Sequence, residues 1–457
     1  MALREHVGNC VRDGQKDIWI KGHYRLSSEA IDRLGDPVAG WRGLSQKSLL
    51  LLPSGYRLVG DGPSESSLTV EGNASVTLIS VVDASSVSVE GLRLRGNSRE
   101  TATSFPGAIH LLATPAAAHD VSGFRFADLQ LENFRNGAWC GVENLGAHRI
   151  SGVSVHRNTA LSEPGNLRGP DKIGADNDVW AFCGNVLNPA GVVSDVEVAD
   201  LVVKGEWLKC AVSFWSCVNT ARVNRLLATD IGKHAADDSA SYAVKIYSNH
   251  WYVNGPELWR DRRFFPENIT VANSTVLEAR SAGVYFASAG RVIVRDSFFR
   301  GQNDRNNQTE PRGCIAGPGC VDLVCEGNAI ENAFAGIDWF PSVGNESSAL
   351  IRNNYITGIR DRGIGIKART SLDRNRNGRV HIADNYSSGT EPDCRGLLIH
   401  YTDEYRFAEL HVTSNILRGD YADAEVLYHG TEDPAEFAGN TYLTGNFKRT
   451  DMATWHK

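Results

Sequence analysis

Long apolar runs, an excess of positive charge and helical spacing are all scarce in this sequence of 457 residues. No apolar stretch approaches the roughly 20 residues that a membrane-spanning helix needs. The longest, Leu49 to Leu52, has only the length of a strand. The formal net charge of -7 gives no overall basic field that would attract nucleic acid or an anionic membrane. We therefore expect neither a nucleic acid nor a membrane as a partner.

A secretion signal and a cysteine framework are also missing from the sequence. Residues 1–22 lack the positively charged start and apolar stretch of a signal peptide. We expect a chain made as written to stay in the cytoplasm, and to be secreted only if a signal has been removed. The nine cysteines are an odd number, so at least one is unpaired or pairs between chains. Cys314, Cys320 and Cys325 lack the paired spacing of a zinc site, which predicts small apolar side chains inside the fold.

A repeated unit is present instead: a short β-run, then Gly, Asn or Asp, then a second β-run. It occurs at Val87–Leu94, Phe124–Leu131, His148–Val155 and Val196–Val203. Later turns are predicted, mostly about 23 to 32 residues apart, at Asn224, Asn273, Asp296, Asn328, Asn354, Asn385, Asn415 and Asn440. These residue types tolerate a left-handed corner, and stacked asparagines can hydrogen-bond to one another. We expect glycine to replace Asn354 with less loss of stability than valine.

A third strand follows a loop in each repeat, as in Gly336–Phe340 and Gly363–Lys367. Three short strands per turn, without helices between them, predict an all-β, right-handed parallel β-helix of about 11 to 12 coils. A solenoid stays one domain however long it grows, so we expect a single domain over 1–457. Residues 1–50 would form an N-terminal cap, 51–445 the coils and 446–457 a C-terminal tail. Ser27–Gly35 reads as a short capping helix.

The stretch Leu51–Pro63, with its Gly-Asp-Gly turn, resembles the first coil of pectin-lyase-like β-helix proteins. The resemblance extends over most of the chain as a repeat pattern and implies an architecture rather than one reaction. Gly365-Ile-Lys367 is similar to the Arg-Ile-Lys strand end of pectin hydrolases but lacks the arginine. The Asn-x-Asp and Gly-His-Gly elements of those hydrolases are absent.

Alternation along the third strand sorts its side chains into an inward and an outward set. Long loops at 156–177, 228–240, 300–313, 249–265 and 368–378 bracket this strand and predict the walls of a groove. Exposed aromatic rings beside ionisable groups suit the binding of sugars. The predicted substrate-binding residues are Trp180, Trp215, Tyr247, Tyr285, Phe340, Lys367, Arg369 and His400.

Three functions fit this groove. Glycoside hydrolysis or intramolecular transglycosylation needs two carboxyls, for which we predict Asp338 with Asp237 or Asp238. Under that hypothesis, Asp338→Asn would fold normally and lose about a thousandfold in turnover. A uronate lyase or epimerase needs a base and a cation, for which we predict Lys245 with the groove's tyrosines and basic residues. A non-catalytic, tailspike-like glycan-binding module is the third possibility.

Cofactors and partners follow from the same patterns. Asp373, Asn375, Asn377 and Asp384 match a calcium loop, but two interleaved arginines oppose a cation, so an ordinary polar loop is favoured. We expect no required cofactor and no metal site. The expected partner is a poly- or oligosaccharide, and the expected assembly is a monomer or a homotrimer.

Overall fold

The computed structural model describes residues 3–26, 31–32, 47–71, 76–96, 107–134, 138–162, 177–232, 240–248, 261–301, 313–341, 346–368, 378–389, 391–402, 407–429 and 435–451. Over these residues the chain forms two compact units, Met1–Ser241 and Tyr242–Lys457. None of their helices has the length and apolarity needed to cross a bilayer.

The first unit starts with helix α1 (Leu3–Arg12) and continues in strands. They are β1 (Asp17–Ile20), β2 (Gly22–Leu26), β3 (Ile31–Asp32), β4 (Lys47–Leu51), β5 (Arg57–Gly60), β6 (Ser66–Val70), β7 (Thr77–Val82), β8 (Val87–Glu90), β9 (Arg93–Arg95), β10 (Gly107–Ala113), β11 (Val121–Ala127), β12 (Gln130–Glu132), β13 (Ala138–Asn144), β14 (Ile150–His156), β15 (Thr159–Ser162), β16 (Asp178–Cys183), β17 (Val193–Ala199), β18 (Val202–Gly205), β19 (Cys210–Trp215), β20 (Val218–Asn224) and β21 (Leu227–Thr229).

The second unit contains one 3-10 helix, Arg262–Phe264, among its described strands. They are β22 (Tyr242–Tyr247), β23 (Glu267–Ala272), β24 (Thr275–Leu277), β25 (Ala282–Ala287), β26 (Ala289–Arg295), β27 (Phe298–Arg300), β28 (Ile315–Pro318), β29 (Cys320–Glu326), β30 (Ala329–Glu331), β31 (Ala335–Phe340), β32 (Ser348–Arg352), β33 (Tyr355–Ile359), β34 (Arg362–Ala368), β35 (Arg379–Ala383), β36 (Tyr386–Gly389), β37 (Arg395–Thr402), β38 (Glu409–Thr413), β39 (Ile416–Arg418), β40 (Ala422–His429), β41 (Ala435–Ala438), β42 (Thr441–Tyr442) and β43 (Phe447–Asp451).

Every third strand belongs to the same sheet, and this order confirms the right-handed parallel β-helix. Sheet A takes β1, β5, β8, β11, β14, β17 and β20 in the first unit and β23, β26, β29, β32, β35, β38 and β41 in the second. Sheet B takes the strand after each of these, for example β9 and β27. Sheet C takes the strand before each from β5 onward, for example β7 and β25, together with β3 and β43. The short pair β3–β4 is antiparallel.

Two details of the architecture differ from the sequence-based prediction. Sheets A and B each contain 14 described strands, so there are more coils than the 11 to 12 expected. Some coils of the solenoid were not recognised in the sequence, such as the coil that contains β28, because its sheet C strand has only four residues. The capping helix is α1 and not Ser27–Gly35, since Ile31–Asp32 is a strand. The amphipathic face of α1 buries Leu3, Val7 and Cys10.

The interior of each coil is filled by the inward residues of the strands. On sheet C the predicted inward pairs, such as Ile337 with Trp339 and Ile364 with Ile366, have no exposed surface. Because coils repeat at about 4.8 Å, identical positions stack into columns. Phe182 lies on Phe214 with 5.4 Å between ring centroids. This stacking fixes which face of every strand points outward.

The predicted left-handed backbone is confirmed at five corners between sheets A and B, where φ is positive. These corners are Gly91, Asp128, Asp200, Asn273 and Asp296. In the later coils the prediction was one residue off. The left-handed residue there precedes the predicted asparagine, as at Asn353 with φ 54° before Asn354. Gly152 also has positive φ but lies inside β14, and its corner falls at Arg157.

The predicted asparagines form a buried ladder along the axis of the second unit. Asn328, Asn354, Asn385 and Asn415 each donate a side-chain hydrogen bond to the next asparagine, ending at Asn440, with lengths of 2.9 to 3.0 Å. Each amide also donates to a backbone carbonyl, such as that of Cys325 for Asn354. The ladder therefore satisfies backbone groups that the corners would otherwise bury without partners.

Asn354→Gly and Asn354→Val are consequently expected to destabilise the protein by similar amounts, about 3 kcal/mol or more. Each removes hydrogen bonds to Asn328 and Asn385, and a buried polar group left without a partner costs about 1–3 kcal/mol. Glycine and valine should differ at Asn353 instead, because valine in the left-handed region costs about 1–2 kcal/mol. Urea denaturation of the four variants checks this. A large glycine-to-valine difference at Asn354 with none at Asn353 would contradict the assigned corner.

All nine cysteines are buried thiols, and none of them forms a disulfide. Burial raises the pKa of the thiols of Cys140, Cys314, Cys320, Cys325 and Cys394 above the usual value.

A thiol reagent at neutral pH should therefore react with almost none of the nine cysteines in the native protein and with all nine in denaturant. Since these folded-state pKa values are raised, the thiols' contribution to stability is complete below about pH 8.5 and declines as the pH rises further. Fast native labelling of several cysteines would contradict their placement.

Candidate functional site: the outward face of sheet C

Buried ionisable side chains concentrate on one sheet. Eleven Asp, Glu, Lys, Arg and His residues among the described positions are buried, and only Glu132 lies outside the strands of sheet C. The other ten are His110, Glu143, Asp178, Lys245, Asp338, Arg362, Lys367, His400, Asp423 and Glu425. Burying charge is costly unless partners or function compensate for it. Sheet C is therefore the candidate location of the functional site.

In the first unit these groups are linked into short networks. The Ser213 hydroxyl donates to Asp178 Oδ2 at 2.5 Å and accepts from the Trp215 indole nitrogen at 2.8 Å. His110 Nε2 lies 3.3 Å from Glu143 Oε2. Trp215 is only 4% exposed, so its ring is not open to stack against a sugar. Its indole nitrogen instead holds the Ser213 hydroxyl in place.

Trp180, predicted as an outward sugar platform, points into the interior. It pairs with Val212 rather than Ser213, and it is Ala181 that lies beside Ser213. Its ring stacks on Phe182 with centroids 6.2 Å apart and has no exposed surface. The assignment was wrong by one residue, which in a strand moves the side chain to the opposite face.

The second unit begins with a cluster of one lysine and three tyrosines, here called the Lys–Tyr cluster: Tyr242, Lys245, Tyr247 and Tyr285. Lys245 pairs with Tyr285 on the next strand, and Tyr242 stacks on Tyr285 with 4.5 Å between centroids. The Lys245 Nζ lies 5.1 Å from the centroid of the Tyr247 ring. Lys245 is buried and the three tyrosines are half-buried. The cluster thus combines an amine with phenol hydroxyls at one place on the face.

Tyr285 and Asp338 both lie on sheet C but are not neighbours. Strand β28 intervenes, so Tyr285 pairs with Ala316 and Ala316 pairs with Asp338. On its other side Asp338 pairs with Gly365. The Lys–Tyr cluster and Asp338 therefore belong to different parts of the face.

Asp338 points outward, as predicted, but it is fully buried and ion-paired. Arg362 Nε and Nη2 donate to its two carboxylate oxygens at 2.9 and 2.7 Å. Arg362 also pairs with Asp361. A side chain at position 365 would meet Asp338 Oδ1 and Arg362, so glycine there leaves the space that the pair occupies. Asp338 is thus one half of a bidentate pair and not an isolated groove carboxylate.

Basic and aromatic side chains continue the face beyond this pair. Lys367 pairs with His400 on the next strand, and both are buried. The Lys367 Nζ lies 5.3 Å from the centroid of the half-buried Phe340 ring. Glu425 pairs with Arg395. The described face of the second unit therefore carries the basic residues Lys245, Arg362, Lys367 and Arg395 beside the carboxylates Asp338 and Glu425.

Several predicted positions lie outside the described residues. They are Asp237, Asp238, Arg369 and the calcium-loop positions Asp373, Asn375 and Asn377. Asp384 is described and forms a left-handed corner.

Sequence reasoning missed Arg362, Arg395 and Tyr242 as members of the face. Each stands at the first position of its strand, two residues before the first core residue that was used to set the alternation. The pairing of neighbouring strands is interrupted at the second residue of each strand. Ala335 pairs with Arg362 and Ile337 pairs with Ile364, whereas Gly336 and Gly363 between them are not paired. The glycine or small residue at that second position, as in Gly336 and Gly363, was the available signal for this irregularity.

No protein-family model and no curated protein sequence matches the chain. Solved structures match in fold. The catalytic unit of a thermostable GH87 α-1,3-glucanase from Streptomyces thermodiastaticus strain HF3-3 has a TM-score of 0.51 and 11% identity, covering 100% of this chain and 68% of its own. The mannuronan C-5 epimerase AlgE6 A-module from Azotobacter vinelandii has a TM-score of 0.48 and 11% identity, and the match covers 96% of this chain and 94% of that module. A tailspike protein of E. coli bacteriophage HK620 has a TM-score of 0.44 and 9% identity, and the match covers 97% of this chain and 75% of the tailspike chain. At these identities the matches establish the β-helix fold alone.

Proposed function

We propose that the protein is a carbohydrate-active enzyme that binds a poly- or oligosaccharide along the outward face of sheet C. The observation that carries this proposal is the concentration on the strands of sheet C of ten of the eleven described ionisable side chains that are buried. A β-helix does not need charges on one sheet to fold, and buried ionisable groups often cluster at functional sites. The α-1,3-glucanases solved with nigerose use the same architecture for an oligosaccharide, which is consistent with this use of the fold.

The substrate that fits the charge is anionic, as a uronate is. Both carboxylates on the described face of the second unit are bound by arginines. Lys245 and Lys367 add two further basic groups to this face, and His400 lies beside Lys367. Cations in a partly dehydrated groove favour carboxylate-bearing sugars over neutral ones.

The chemistry best supported is β-elimination or C5 epimerisation of that uronate at the Lys–Tyr cluster. Lys245, as the neutral amine, would take the C5 proton as general base. The Tyr285 or Tyr247 hydroxyl would then donate a proton, to the departing O4 in elimination or to the opposite face of C5 in epimerisation. Tyr242, stacked on Tyr285, would hold that ring in position.

Glycosidic hydrolysis or transglycosylation is the alternative, with Asp338 as one carboxyl. It requires two carboxyls about 5 to 9.5 Å apart, one of which carries a proton. Both oxygens of Asp338 accept hydrogen bonds from Arg362. Glu425 lies three strands further along the same column, about 14 Å at the usual strand spacing. A partner from Asp237 or Asp238 would be needed, and this stays a prediction.

A polysaccharide screen separates the possibilities. Uronate polymers should give ultraviolet absorbance if elimination occurs, since only elimination makes the conjugated double bond. Epimerisation should exchange the C5 proton for deuterium without cleavage. Reducing ends without absorbance would favour hydrolysis at Asp338, and binding without any reaction would favour a tailspike-like module. Activity confined to neutral glycans would overturn the anionic-substrate proposal.

A further inference from the structure

Two histidines and two glutamates form a cluster on the outer surface of sheet A, away from the strands of sheet C. His381 on β35 pairs with His411 on β38, which pairs with Glu436 on β41. Glu409 stands two residues before His411, on the same face of β38. The three side chains His381, Glu409 and His411 place one ligand atom each within 4.8 Å of one another.

The orientation of these groups suits a cation. Glu409 Oε1 lies 3.4 Å from Arg379 Nε, whereas its other oxygen, Oε2, faces His381 Nε2 at 4.0 Å. The imidazole rings of His381 and His411 have centroids 4.9 Å apart. Arg379 reduces the negative charge at Glu409 but leaves one oxygen directed at the histidines.

Glu436 supplies an independent feature of a metal site. Its Oε2 lies 2.8 Å from His411 Nδ1, so the protonated Nδ1 donates to the carboxylate. That hydrogen bond fixes the tautomer and ring orientation and leaves Nε2 as the lone-pair donor. A carboxylate behind a ligating histidine is the common arrangement around protein-bound metals.

We propose that His381, His411 and Glu409 bind a divalent transition-metal ion of the zinc class, with Glu436 as a positioning residue. Two imidazoles and one carboxylate suit zinc, copper or nickel rather than calcium or magnesium, which prefer oxygen ligands alone. Tetrahedral zinc brings its nitrogen ligands to about 3.3 Å from one another. The side chains of the three ligands are between one third and one half exposed, so small χ rotations can close the remaining gap.

The site would join neighbouring coils, because its ligands come from the adjacent strands β35 and β38. An ion bound there stabilises the folded state by binding it and not the unfolded chain. The proposal does not depend on the carbohydrate function, since none of its ligands lies on sheet C.

Zn²⁺ titration of the chelator-treated full-length protein by isothermal calorimetry tests the site. The wild type is expected to bind one ion and to gain melting temperature on adding Zn²⁺. His381→Gln and His411→Gln should each weaken binding by at least about 100-fold and abolish that gain, and Glu436→Gln should weaken it by about 10- to 100-fold with one ion still bound. His148→Gln changes a similarly exposed histidine beside an acid and serves as the matched control.

The outcomes divide cleanly. Unchanged affinity in His381→Gln and His411→Gln would overturn the assigned ligands. Unchanged affinity in Glu436→Gln alone would overturn its positioning role. A wild type that shows no saturable binding of Zn²⁺ would overturn the site as a whole.

Discussion

Asp338→Asn is expected to lower the free energy of unfolding by about 3 kcal/mol, whereas Asp128→Asn should cost no more than about 1 kcal/mol. Both changes are isosteric, and both carboxylates accept two hydrogen bonds from one arginine. The Asp128–Arg157 bonds are 2.7 Å each, and the side chains are 43% and 54% exposed. The Asp338–Arg362 side chains are 0% and 4% exposed. Burial is therefore the main variable between the two pairs.

Urea denaturation measures the loss of stability of the whole protein, and hydrogen exchange of the β31 and β34 amides measures it at the ion pair. Both are needed because a solenoid need not unfold in one step. Arg362→Met should cost at least as much as Asp338→Asn, because it leaves a fully buried carboxylate without its guanidinium. The double variant should cost less than the sum of the two single variants. Equal, small losses at Asp338 and Asp128 would contradict a structural pair and restore Asp338 as a groove carboxylate.

This expectation replaces the one drawn from strand alternation, in which Asp338→Asn kept its stability and lost only turnover. Alternation correctly turned the carboxylate outward. It did not reveal that Arg362 reaches it from the start of the next strand. Loss of activity in Asp338→Asn must therefore be compared with its loss of stability before a catalytic role is assigned.

Lys245→Met should lower turnover on the preferred uronate polymer by about 100- to 10,000-fold, as the loss of a general base does. Tyr285→Phe, which removes only a hydroxyl, should lower it by a similar factor if Tyr285 is the acid. The melting temperature of each variant is measured alongside, because Lys245 is buried and a loss of turnover counts only where the variant stays folded. The kinetic parameter affected should be kcat more than KM, since the lost interactions belong to proton transfer.

Matched controls are available on exposed positions of sheet B. Lys204→Met and Tyr355→Phe make the same chemical changes there and should leave turnover unaltered. If Lys245→Met and Tyr285→Phe retained most of the activity while Asp338→Asn lost it without unfolding, elimination and epimerisation would be excluded at this cluster. Hydrolysis would then be the better hypothesis.

The sequence by itself determined the solenoid. Left-handed corners accept few residue types, and a strand alternates with a period of two, so corner residues and buried apolar pairs are legible along the chain. Gly91, Asp128 and Asn273 were placed for that reason, as was the asparagine ladder. The outward direction of Lys245, Asp338 and Lys367 followed from the same alternation.

Only the tertiary structure decided which outward residues meet. Neighbours on a β-helix face are a whole coil apart in sequence, and coil length varies with the loops, so a four-residue strand such as β28 separates Tyr285 from Asp338 without leaving a clear pattern. The Asp338–Arg362 pair and the His381–His411–Glu409 cluster depend on register between strands and on side-chain reach. Those are properties of the stacked coils, and no local stretch of sequence specifies them.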